Sequence, residues 1–324
     1  MNSQSKITCA LVAALAFGCG VEDGPDDGQE SEEVISPNGV SLNGVSLNGV
    51  SLNGVSLNGV SLNGVSLNGV SLNGTSLSGV TLQSSRLVGW KSGRYLSASE
   101  FATSIFNGTL SNGQTIKVRV DSVATGASPN TDTYMYGVSY QTSTGWSKLC
   151  GADTSGNAIL AIAMPGTFNS GWGVAGGGSY TADASQFTFG CRGFALAKCV
   201  ELGYKYWKAL PSDSSKTLLN HTVACTRMLR ADYCGDGASW TLNGTPINLY
   251  DGQGIQADSQ LLWPFEAEWG PGGASCVSST STLRWKNMSA TAPACIAAKK
   301  SLTCGVLTHF ATSSTTLLMD EYNP

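Results

Sequence analysis

The chain has 324 residues, a formal net charge of −4 and 12 % charged side chains, about half the usual share. No basic excess exists, so the electrostatic footprint of a nucleic-acid binder is missing. Two histidines exclude a three-histidine metal centre, and the ten cysteines and 40 glycines bear on location and architecture more than on any reaction.

Residues 1–18 read as a signal peptide. Lys6 precedes an apolar run from Ile7 to Gly18, too short for a bilayer span of about 20 residues. The end of that run, Ala16-Phe17-Gly18-Cys19, resembles the lipobox of bacterial lipoproteins. It departs from the commonest form in the place of Leu15 and the bulk of Phe17. The resemblance implies lipidation of Cys19, a membrane reached through that anchor, and residence in the cell envelope on either face of the outer membrane. An ordinary secretory cut would release the chain instead. Residues 19–37 then form a tether whose stretch 22–33 holds seven acidic residues and no basic one, a composition that stays solvated.

Residues 38–87 repeat with period five. Asn-Gly-Val-Ser-Leu occurs seven times without change from Asn38 to Leu72, followed by NGTSL, SGVTL and QSSRL. This period fits neither a helix nor a flat strand. A pattern with Leu and the Val two before it inward, and Asn-Gly at corners, suits a solenoid. It resembles the pentapeptide-repeat family, whose fold is a square β-helix. Fifty residues make few coils, so the segment reads either as a short β-helix leaning on a neighbour or as a repeat spacer.

Residues 88–324 read as one body of class α+β: a β-rich domain around a central helical pair. Strands are predicted at Thr115–Val120, Tyr134–Tyr140, Ala158–Met164 and Trp263–Trp269. One helix carries Leu196, Cys199, Val200 and Trp207. A second carries Leu218, His221, Cys225, Met228 and Leu229, with Asp213 or Ser214 as its cap and Gly235 as its end. A hairpin over Trp240–Asp251 turns on Asn243-Gly244. Eight body cysteines, Cys150, Cys191, Cys199, Cys225, Cys234, Cys276, Cys295 and Cys304, form an even set for up to four disulfides in an exported chain. No C-x-x-C occurs.

The second helix leads into Ala231-Asp232-Tyr233-Cys234. Together with FGCRGFALAKCVELGY (189–204), Tyr250-Asp251 and FEAEW (265–269), this tetrapeptide resembles the ADYC domain of exported proteins from myxobacteria and relatives. The likeness runs over roughly residues 145–304 and implies no known activity and no catalytic residue.

Candidate chemistry is sparse. His221 and Cys225 share a helical face, as a nucleophile–base pair would, or as a buried histidine beside a disulfide. Glu266 and Glu268 share a strand face, as paired carboxylates for glycoside or cation chemistry, or as a solvated face. Asp232, Asp236 and Asp251 are a possible cation cluster near Gly235–Gly237. Asp232 in the last helical turn opposes the macrodipole and is expected to accept bonds from the exit loop or to pair with Arg227 or Arg230. No cofactor and no metal is assigned. The reading is a lipid-anchored, disulfide-stabilised envelope or cell-surface protein that serves as a binding or display module, with a surface protein or a polysaccharide as its expected partner. The alternative is an extracytoplasmic hydrolase using Glu266, Glu268 or Asp232.

Overall fold

The computed structural model describes residues 45–47, 56–57, 60–110, 112–169, 171–259 and 262–324. The expected signal peptide, Cys19 and the acidic tether lie outside the described residues.

The pentads enter the fold as a strand, Val60–Leu72. Val65, Leu67, Val70 and Leu72 are buried, and Asn68 and Gly69 are exposed. An unbroken strand switches faces at every residue, so a period of five would send Val65 and Val70 to opposite sides. A bulge removes the conflict. From Ser66 to Ser71 the strand advances five residues while its partner advances two, from Asn107 to Ile105. Gly69, at φ 67°, takes the left-handed conformation that this corner requires. The inward Val and Leu of the repeat are thus as expected, with Asn-Gly at the corner. The degenerate copies continue through a two-residue turn at Asn73-Gly74, across which Leu72 pairs with Thr75. A small sheet follows, of Ser78–Gln83, Arg86–Lys91 and Arg94–Ser97.

The repeat strand is one stave of a closed barrel. Val60–Leu72, Ser104–Leu110, Thr115–Thr125, Tyr134–Thr142, Ala161–Pro165 and Gln186–Cys191 pair antiparallel in chain order, and the last returns to the first. Closure removes the sheet edges that would otherwise be exposed to pairing with other chains. Val65, Phe106, Val118, Tyr136, Ala163, Phe187 and Phe189 fill the interior. The outward residues Met135, Ile162 and Met164 are buried as well, under the helices, which explains the continuous apolar run there.

The helical pair, α1 (Ala195–Glu201) and α2 (Leu219–Leu229), is joined by Cys199–Cys225. Trp207 lies beyond α1. Leu196, Val200 and Val223 face the barrel, whereas Cys199, Cys225, Met228 and Leu229 face a second sheet. Sandwiched between two sheets, α2 is buried from His221 to Leu229. Asp213 and Ser214 do not cap it. They lie on Asp213–Thr217, paired with Ala209–Leu210, and Leu218 stands at the N-cap without a side-chain bond.

The second sheet runs Val45–Leu47, Thr245–Asp251, Leu318–Tyr322, Phe265–Gly270, Gly273–Ser278, Lys300–Ser301. The expected hairpin at 240–251 does not form. Ser239 Oγ and the Trp240 amide both donate to the Arg230 carbonyl, tying that segment to the helix end. Thr245–Asp251 pairs with Leu318–Tyr322 instead. Cys150–Cys191, Cys234–Cys295 and Cys276–Cys304 complete four disulfides. Each closes a loop of tens of residues, worth about 3–4 kcal/mol in the chain-entropy account.

Candidate functional site

The C-terminus of α2 is where barrel, helices and second sheet meet. Ala231, not Gly235, ends the helix: it is left-handed at φ 50°. Its amide reaches the Met228 carbonyl and the Asp232 amide reaches that of Arg227, both at 2.9 Å, which is the Schellman pattern. Alanine in this conformation costs about 1–2 kcal/mol, offset here by full burial of its methyl against the second core.

Asp232 is wholly buried. One carboxylate oxygen accepts the Asp236 amide at 3.0 Å, and the other accepts the Gly237 amide at 2.9 Å together with the Arg227 guanidinium. Burial pushes its carboxyl above the ordinary value, against the pull of Arg227, Arg230 and the Gly237 amide. Arg227 also donates to the carbonyls of Gly177, at 2.7 Å, and Pro271, at 3.1 Å. The Asp–Arg pair therefore ties together three segments: the helix exit, the glycine-rich loop after the barrel strand and the turn of the second sheet. Backbones touch at this point. A Cβ on Gly235 would stand 2.0 Å from the Gly272 carbonyl oxygen, and one on Gly237 would stand 2.2 Å from that of Gly171.

Tyr233 points into the second core. Its ring stacks on Trp269, with centroids 5.3 Å apart, and its hydroxyl donates to Glu266 at 2.5 Å. Glu266 also accepts the amide and Nε of Arg284, each at 2.6 Å. Arg284 turns its other arm to Asp320 at 2.7 Å, and Asp320 accepts the Trp269 indole at 2.7 Å. Burial and the neighbouring Glu266 push Asp320 well above the carboxylate range. The Arg284 guanidinium stands between the two carboxyl groups, with all three side chains at zero exposure, and the burial of each side chain is offset by a bonded partner. Cys234 closes the tetrapeptide with its disulfide to Cys295.

Residues 98–283 match the ADYC domain model, and residues 41–79 and 56–89 match pentapeptide repeats in eight copies. The first match covers more than half of the 324 residues. The chain belongs to the ADYC domain family. No curated protein and no solved structure matches it. The ADYC tetrapeptide thus divides four tasks among consecutive residues: a left-handed helix stop, an anion for the exit loop, an aromatic bond into the charged cluster and a disulfide.

Other candidate residues fall elsewhere. Cys225 is bonded to Cys199, so it offers His221 no thiol. His221 is buried and stacked on Tyr204, and burial holds its imidazole below the usual value. Asp232, Asp236 and Asp251 do not gather: Asp236 bonds the Ala238 amide, while Asp251 accepts Tyr204 and the amides of Gln253, Ile255 and Gln256 in its own turn. Glu266 and Glu268 are not on a solvated face. Both are buried, because the segments around Arg284 and His309 fold over that side of the sheet. Glu268 accepts the Gly305 amide at 2.8 Å, His309 Nδ1 at 2.7 Å and Thr316 at 2.6 Å. Arg284, Asp320 and His309 carry no local motif in the sequence, since each gains its role from a distant strand.

Proposed function

We propose that this ADYC protein is a lipid-anchored, disulfide-stabilised envelope protein that acts by binding polysaccharide through exposed aromatic rings. The observation that carries the reading is the pair Trp90 and Tyr95. They face each other across Arg86–Lys91 and Arg94–Ser97, with ring centroids 5.3 Å apart and planes at 69°, and remain 46 % and 41 % exposed. Rings held in place on a paired strand lose little freedom when a sugar stacks on them. Four disulfides suit an oxidising compartment, and the lipobox-like Cys19 supplies the anchor. The acids that a hydrolase would use, Glu266, Glu268 and Asp232, are already bonded to internal donors.

Affinity electrophoresis through gels containing neutral and acidic polysaccharides tests the binding half. Retardation of the wild type that disappears in Trp90→Ala/Tyr95→Ala supports the reading. Equal mobility of both proteins in every gel rejects it. Detergent phase partition of wild type and Cys19→Ala tests the anchor: acylation sends the first to the detergent phase and the second to water.

A further inference from the structure

We propose that Cys276, Cys304 and Glu268 form a redox-gated site for a soft divalent cation such as Zn²⁺, with His309 orienting the carboxylate. The two sulfurs and a Glu268 carboxylate oxygen lie within 4.8 Å of one another. The fold makes this meeting obligatory. Glu268 stands directly opposite Cys276 on the neighbouring strand. Cys304 returns to Cys276 through their disulfide, and the next residue, Gly305, donates its amide to Glu268. His309 Nδ1 holds the same carboxylate oxygen, and Thr316 holds the other. A metal-ligating carboxylate needs this kind of outer support.

In the disulfide state the sulfurs cannot ligate a cation. A dithiol reductant, such as an exported thiol–disulfide exchange protein with a C-x-x-C pair or dithiothreitol, opens the site. The Cys276–Cys304 bond breaks and two electrons pass from the dithiol, which becomes a disulfide. The two protein thiols then lose two protons to solvent as the cation binds their sulfurs. Two thiolates and one carboxylate leave the fourth tetrahedral position to water, which is the ligand count of an open zinc site. Glu268 is 2 % exposed, while both cysteines are partly exposed, so reductant and ion reach the sulfurs from solvent and find a fixed oxygen beneath. By contrast Cys199 and Cys225 are fully buried, so the site opens before that pair does.

The experiment is a graded reduction of the full chain with dithiothreitol, with mass spectrometry of alkylated peptides to identify the open pair, followed by titration with Co²⁺. The expected result is early opening of Cys276–Cys304, one Co²⁺ per chain, a thiolate charge-transfer band in the near ultraviolet and tetrahedral bands in the visible. Zn²⁺ should displace the Co²⁺. Cys276→Ser/Cys304→Ser should abolish the thiolate band, and Cys234→Ser/Cys295→Ser should keep it. His309→Ala should weaken Co²⁺ about tenfold or more, the scale for losing an outer-shell partner, without removing the band. The proposal is overturned if the opened chain gives no such band, if the band survives loss of both sulfurs, or if near-ultraviolet dichroism collapses before Cys276–Cys304 opens.

Discussion

Arg227 and Asp232 stand five residues apart across the end of α2, and the guanidinium of the first closes on the carboxylate of the second with both side chains buried. The bond spans the helix stop itself, so the direction in which the chain leaves the helix is set by an ion pair. Replacing Asp232 by Asn leaves Arg227 with no countercharge in a buried place, which costs about 3–5 kcal/mol. Urea unfolding of Asp232→Asn should show that loss, with an intact Cys234–Cys295 disulfide confirmed by peptide mapping. An unchanged midpoint would separate the ADYC aspartate from stability and return it to function.

Ala231 balances two opposed effects. Glycine in its place relieves the left-handed backbone, worth about 1–2 kcal/mol, and removes a buried methyl worth about 0.8 kcal/mol. Ala231→Gly should therefore stay within about 1 kcal/mol of wild type. Ala231→Val adds β-branching in a left-handed position within a closed core, and should lose about 2 kcal/mol or more. Thermal unfolding of the two variants should place them on opposite sides of that gap.

His221 gives stability a defined dependence on pH. Its folded-state pKa lies below the unfolded value because burial disfavours the imidazolium. The unfolded chain binds the proton first, so this contribution is complete above about pH 6.5 and declines as pH falls below it. His221→Phe keeps a ring against Tyr204 and removes the proton. Its urea midpoint should fall less between pH 7 and pH 5 than that of the wild type. Parallel profiles would assign the acid sensitivity elsewhere.

The repeat is structural where it meets the barrel. A chain beginning at Val88 lacks the strand Val60–Leu72 and leaves both of its partners, Ser104–Leu110 and Gln186–Cys191, with open edges. It also uncovers the Phe106 and Phe187 rings packed beside that strand. Such a truncation should aggregate or lack the near-ultraviolet dichroism of the full chain. Leu67→Ala in the full chain should cost about 2–5 kcal/mol, the range for a buried leucine. A folded, monomeric 88–324 fragment would show that the body folds without the repeat strand.

Much of this architecture is written locally. Period five, with Val and Leu inward and Asn-Gly at corners, is a property of any five consecutive residues and needs no distant partner to be read. The same holds for the two helices, for the strands expected at Thr115–Val120, Tyr134–Tyr140, Ala158–Met164 and Trp263–Trp269, and for a cysteine set whose count is even. Asp232 as an acceptor follows from its place just before Gly235, Asp236 and Gly237, whose amides lie beyond the helix and need partners. Tertiary structure decided the rest. Whether pentads coil on themselves or enter a barrel depends on the strands available to pair with them, and Ser104–Leu110 and Gln186–Cys191 lie far along the chain. Glu266 and Glu268 look like a solvated face from the alternation of one strand. They are buried because segments 18 and 41 residues away, at Arg284 and His309, bring their donors to that face. A carboxylate's burial is set by the sum of its partners' hydrogen bonds and charges. When those partners come from other strands, no local pattern records them.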